Sequence, residues 1–157
     1  MKVVLLVVGK TTDRHFEAGI AEYASRLSHY LQFSIEVIPE LKSTRSLSQG
    51  EQKEREAIMI AKALQPSDHV VLLDEHGTER TSMEFAAWMQ RKMAMGLRRL
   101  VFVVGGPYGF ADSVHMLAKE KVSVSRMTFS HQMIRLIFVE QIYRAMTILG
   151  GEPYHHE

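Results

Sequence analysis

The sequence predicts an α/β fold, a mostly parallel sheet with helices on both faces. Short apolar runs at 2–8, 69–74 and 100–104 alternate with longer amphipathic stretches, the order that builds a sheet from strand–helix–strand units. Those runs are apolar at nearly every position rather than at every other one, as in strands covered on both faces. Two pairs with capping-box spacing, Ser48/Glu51 and Thr81/Glu84, stand directly ahead of helical periodicity.

Lys2–Val8, rich in valine and leucine, is the first strand. Phe16, Ile20, Tyr23, Ala24, Leu27 and Leu31 recur at helical spacing, which predicts a helix over 15–31. Residues 34–38 make a short second strand ended by Pro39, and the polar, aperiodic stretch 39–48 reads as a mobile loop. The helix opened by Ser48 carries Ala57, Ile58, Ala61 and Leu64 inward until Pro66 breaks it. A third strand covers 69–74, and Glu75-His76-Gly77 turns the chain. The helix opened by Thr81 buries Phe85, Trp88, Met89 and Met93, and Gly96 is placed for a left-handed cap. Then come a fourth strand at 100–104, a short helix at 112–119 and a fifth strand at 122–125. Ser130 caps a last helix that runs to about Leu149, before Gly150-Gly151.

A length of 157 residues fits one domain, 1–157, able to bury a core without disulfides or metal. The lack of cysteine fits a reducing compartment. The apolar start is too short for a secretory signal and stops at Gly9-Lys10, and no stretch has the length of a membrane span. A soluble, cytoplasmic protein is expected. The net charge of +1 neither announces nor excludes a nucleic-acid partner. The pairs Arg91-Lys92 and Arg98-Arg99 read as solvated surface. Most of the ten methionines sit among apolar neighbours and read as core filler. The histidines lack zinc-site spacing, so no metal is expected.

The chemistry concentrates in the last third. Gly105-Gly106-Pro107-Tyr108-Gly109 follows a strand and admits close backbone approach, by a ligand or simply in a tight turn. It matches neither the dinucleotide fingerprint nor the P-loop. The segment 124–129 mixes hydroxyls, backbone amides and apolar walls, suited to an adenosine-like ligand or to a plain connection. In open α/β sheets ligands gather at the carboxyl ends of strands, and the end of the third strand, at Leu73, would lie nearby. On the last helix His131 and Arg135 share one face; Glu140 and Arg144 share roughly the opposite one, as an intrahelical ion pair. Between them the helix is apolar almost all round, the mark of one buried against other elements or another subunit.

The opening KVVLLVVGK, the turn VFVVGGPYG, the run SRMTFSHQMIRLIFVEQIYRA and the ending GEPYH together resemble the RlmH family of SPOUT-class methyltransferases, over nearly the full length. The resemblance implies a trefoil knot at the C-terminal end and a homodimer. It implies transfer of a methyl group from S-adenosylmethionine to N3 of a pseudouridine in 23S ribosomal RNA, on the assembled ribosome. The family's donor site falls on Leu73, Gly105, Val124, Ser125, Arg126, Met127, Thr128 and Phe129. For catalysis the candidates are His131 or His155 as the base that takes the N3 proton, or Arg135 stabilising the developing anion. Arg126, Arg135 and Arg144 are candidates for phosphate, and Tyr154 or His155 for stacking on or hydrogen-bonding to the target base. Rival readings are a related methyltransferase with another RNA target, a catalytically silent RNA- or ribosome-binding protein, and a flavodoxin-like small-molecule binder.

Overall fold

Strand β1 (Lys2–Val8) sets the pattern of the whole molecule. In the computed structural model, which describes residues 1–156, Val3, Leu5 and Val7 point into one core and Val4, Leu6 and Val8 into a second. Successive side chains of a strand face opposite ways, so a run apolar at every position needs a cover on each face. Each large aliphatic side chain so buried contributes about 1.5–3 kcal/mol. The first core takes α1 (Arg14–Leu27), α3 (Ser82–Ala94) and α5 (Met133–Leu149). The second takes α2 (Gln49–Ala63) and α4 (Asp112–Leu117).

The other strands are β2 (Gln32–Ile38), β3 (His69–Glu79), β4 (Arg99–Val104) and β5 (Glu120–Ser123). They pair in the order β2-β1-β4-β3-β5, every pair parallel. The predicted α/β architecture, with helices on both faces of a parallel sheet, is the one found.

Several boundaries differ from the sequence reading, each for a packing reason. Helix α1 stops at Leu27 instead of 31, because the amides of Tyr30 and Leu31 fold back onto the Leu27 carbonyl to drop the chain into β2. Their side chains still pack on the first core, which is why the apolar spacing runs on to Leu31. The 39–48 loop contains a 3₁₀ turn, Thr44–Ser46. Helix α2 buries Glu56, Ala57 and Ile60, while Ile58 is 59% exposed, so its inward stripe is rotated from the one expected. A carboxylate on that stripe hid its phase. In α3 the buried residue of the last turn is Lys92, not Met93.

Lys92 is explained by β5, which begins two residues earlier than its apolar residues indicate. Glu120 accepts hydrogen bonds from Trp88 Nε1 at 3.1 Å, pairs with His69 Nε2 at 2.8 Å and ion-pairs with Lys92. Burial pushes this carboxyl up, but the hydrogen bonds from Lys92, His69 and Trp88 outweigh it and hold the group at about 2.

Strand β3 does not end at Asp74. Residues 74–77 loop out, so that Leu73 and Thr78 both lie opposite Val122, and pairing resumes to Glu79. Gly77 is required there, since a Cβ would lie 2.7–2.8 Å from the backbone of Lys121 and Val122. The expected starts of α2 and α3 hold: Ser48 Oγ accepts from the Glu51 amide, and the Thr81/Glu84 box is reciprocal. Gly96 has the left-handed φ of +72° that its cap position predicts. Ser130 Oγ accepts from the Met133 amide at 3.1 Å, capping the turn from which α5 grows.

Candidate active site

Because every strand is parallel, all the C-terminal ends open on one edge, and a cavity of about 630 Å³ lies there. The ends of β4 and β5 and the loop-out within β3 build it. From β4 comes the glycine turn, closed by the Gly109 amide donating to the Gly106 carbonyl at 3.2 Å, with Gly109 at φ +81°. From β3 come Leu73 and the looped-out acids Asp74 and Glu75. The third wall is the loop after β5. There Ser123 Oγ donates to the Ser125 carbonyl at 2.9 Å and Ser125 Oγ accepts from the Met127 amide at 3.0 Å.

The structure brings together most of the residues singled out in the sequence. Leu73, Gly105, Val124, Ser125, Met127, Thr128 and Phe129 all line the cavity. Arg126 does not; its side chain is 87% exposed and pairs with Glu79 at 3.3 Å. His131 lines the cavity, half-buried, and burial with the neighbouring Arg135 charge lowers its pKa below the usual imidazole value. That shift favours the uncharged imidazole.

Arg135 requires a correction. It is 1% exposed, and four of its five N–H donors are engaged within the chain. Nε donates to the His131 carbonyl, Nη1 to the Gly9 carbonyl and Thr11 Oγ1, and Nη2 to the Val8 carbonyl, at 2.8–3.2 Å. It clamps the end of β1 to the start of α5, a structural role in place of the exposed phosphate contact expected from the sequence.

Arg144, Tyr154 and His155 lie apart from this cavity, on the side where α1 meets α5. Arg144 bonds Glu140 at 2.7 Å, the ion pair expected from their spacing, and donates to His155 Nδ1 at 3.1 Å. Its guanidinium lies 4.9 Å from the Tyr154 ring centroid, and the Tyr154 hydroxyl donates to Glu140 at 2.8 Å. Burial, then bonds to Tyr23 and Glu140, raise the Tyr154 pKa, so the phenol stays protonated. The Tyr30 hydroxyl, pushed up to about 12 by its bond to Glu152, fastens the tail from the other side.

Sequence reasoning missed Glu75, Gln49 and Phe110, which also line the cavity. The acidic pair directly after an apolar strand was the available signal for Glu75. Nothing in the sequence marked Glu56, which is 5% exposed on α2 and backs the glycine turn; its oxygens stand 2.5–2.6 Å from where a Cβ on Gly106 would lie. Burial, and to a lesser degree Glu40, raise its pKa against a bond from Gln52. Among the described residues no group of three or more His, Cys, Asp or Glu is arranged to hold a metal, and no helix is long and apolar enough to cross a membrane.

Comparison with known proteins points the same way. The family model described as "Predicted SPOUT methyltransferase" matches residues 1–155. Proteins named ribosomal RNA large subunit methyltransferase H are similar over their full length. Those of Bacteroides fragilis and Bacteroides thetaiotaomicron are 61% and 62% identical over 157 residues, covering 100% of each chain. That of Christiangramia forsetii is 51% identical over 156 residues, covering 99% of each. A match spanning the sheet, the glycine turn and the loop after β5 leaves none of the site outside the likeness: the chain belongs to the SPOUT methyltransferase family and is a methyltransferase.

Proposed function

We propose that this enzyme transfers a methyl group from S-adenosylmethionine to N3 of a pseudouridine in 23S ribosomal RNA, on the assembled ribosome, as a cytoplasmic homodimer. The supporting observation is the coincidence of the three predicted strand ends in one cavity. Its residues fit the donor. The volume lies within the range of about 300–1,000 Å³ usual for small-molecule sites. At Gly105 a Cβ would press within 3.1 Å of Phe110, so glycine lets that ring, itself part of the cavity lining, pack on the turn. Leu73, Gly105, Val124, Ser125, Arg126, Met127, Thr128 and Phe129 would hold the donor, Arg126 through its backbone. The C-terminal knot belongs to this reading; knots are otherwise essentially absent from folds, and family membership supports it.

The donor, when bound, supplies a methyl already activated on a sulfonium. The chain's part is to align the acceptor and to receive a proton. With the donor bound, N3 would take the methyl as the sulfonium gives it up, and the N3 proton would pass to a base. His131, at the cavity wall and with a lowered pKa, is the candidate for that role in this reading. Tyr154 and His155 do not line their own chain's cavity, so they meet the target base only across the dimer.

The test is methyl transfer to ribosomes lacking the mark, followed by nucleoside mass analysis. N3-methylpseudouridine in large-subunit RNA is expected. A different methylated nucleoside overturns the substrate and keeps the donor site. No transfer to ribosomes, subunits or transfer RNA favours a silent binding protein.

A further inference from the structure

We propose that Lys10, Lys42 and Arg45, on the loops after β1 and β2, form a ledge that holds RNA phosphates beside the cavity. The proposal rests on the reading of the enzyme as RNA-directed. With Arg135 buried, and Arg144 and Arg126 paired with Glu140 and Glu79, the arginines that the sequence offered for phosphate are largely committed elsewhere. Lys10, Lys42 and Arg45 are exposed, and none of them forms an ion pair with a described residue.

Their place follows from the sheet. β2, β1 and β4 are neighbours and parallel, so the loops after β1 and β2 open on the same edge as the glycine turn. The strand ends from which they leave stand within two strand spacings of it, about 10 Å. Both loops are fastened to the cavity wall. Gln132, next to His131, donates from Nε2 to the Lys10 carbonyl at 3.1 Å and accepts from the Thr12 amide at 2.9 Å. The Gly9 amide donates to the Ile38 carbonyl at 2.7 Å, joining the two loops at their base. Gln49, where the second loop ends, lines the cavity itself.

The second loop also holds an unusual backbone. Ser43, between Lys42 and the Thr44–Ser46 turn that carries Arg45, has φ +59°, the only non-glycine residue with positive φ among those described. Bulk does not demand this shape, since Ser43 is exposed. Strained backbone of this kind gathers at ligand clamps. Lysine and arginine at such a rim suit phosphate, whose contacts position a nucleic acid without reading its sequence.

The experiment is the salt dependence of ribosome binding and of methyl transfer, comparing the parent with the double variant Lys42→Ala/Arg45→Ala and with Lys10→Ala. Lys62→Ala, near the far end of α2, is the control. Losing two phosphate contacts lowers the slope of log affinity against log salt by about 1.4–1.8. The double variant is also expected to raise KM for ribosomes about tenfold at physiological salt, while S-adenosylmethionine affinity, measured by calorimetry, reports the intact fold. A parental slope and KM in the double variant overturn the ledge while leaving the methyltransferase reading intact. Equal loss in the Lys62 control also overturns it, because the effect would then be one of net charge. Failure of the parent to bind or methylate ribosomes defeats the functional reading itself, and the ledge with it.

Discussion

His131 joins the one cavity-lining imidazole to a lowered pKa. A lowered pKa keeps the ring unprotonated to a pH below the ordinary value of about 6.5. Activity that depends on it is therefore full at neutral pH and falls as pH drops through the lowered pKa. His131→Ala is expected to slow single-turnover transfer by about 10²–10⁴-fold and to abolish that acid limb, as read by quenched-flow rates across pH. An unchanged profile would remove His131 from the reaction. The sequence made His131 visible by its place after a strand-end loop, but not its protonation, which comes from burial and from Arg135 folded against it. The same holds for Glu56, an ordinary helix-surface glutamate by sequence that the fold presses against Gly106.

At the scale of elements, the start of α5 and the end of β1 meet through Arg135, and this joint supports the cavity wall from behind. Four hydrogen bonds from one buried guanidinium satisfy three backbone carbonyls and a hydroxyl. Arg135→Ala leaves those acceptors without the donor and opens a void, and is expected to cost about 3–5 kcal/mol in urea unfolding. Arg135→Lys, keeping charge but losing the planar fork, should recover only part of it. If the alanine variant unfolds like the parent, the clamp has no structural weight. The element boundaries show what local pattern can and cannot supply. Capping boxes were legible because Ser48/Glu51 and Thr81/Glu84 satisfy their own helix ends. The start of β5 was not, because Glu120 is polar in sequence and is held in the strand by partners from β3 and α3.

Across the whole molecule, α5 binds the first core together. It packs on both α1 and α3, and Phe138, Val139, Ile142, Ala145 and Met146 are buried against them. A chain ended at Gln132 would expose that face of the sheet and lose Arg135 as well. Such a chain is expected to show no cooperative thermal transition by circular dichroism; a parental transition would make α5 an appendage. The tail beyond it is tied down by Tyr30, Glu140 and Arg144, so the aromatic side of α1 and α5 is built by residues far apart in the chain.

By itself the sequence determined the layer architecture, most helix starts and the three chain segments that wall the cavity. These follow from local periodicity, capping and turn chemistry, which need only near neighbours along the chain. Tertiary structure decided the strand order, the looped-out 74–77 segment, the burial of Glu56, Lys92 and Arg135, and the separation of Arg144, Tyr154 and His155 from the cavity. Each of these depends on a partner dozens of residues away, and the desolvation and hydrogen bonding that fix a polar side chain's role exist only once that partner is in place.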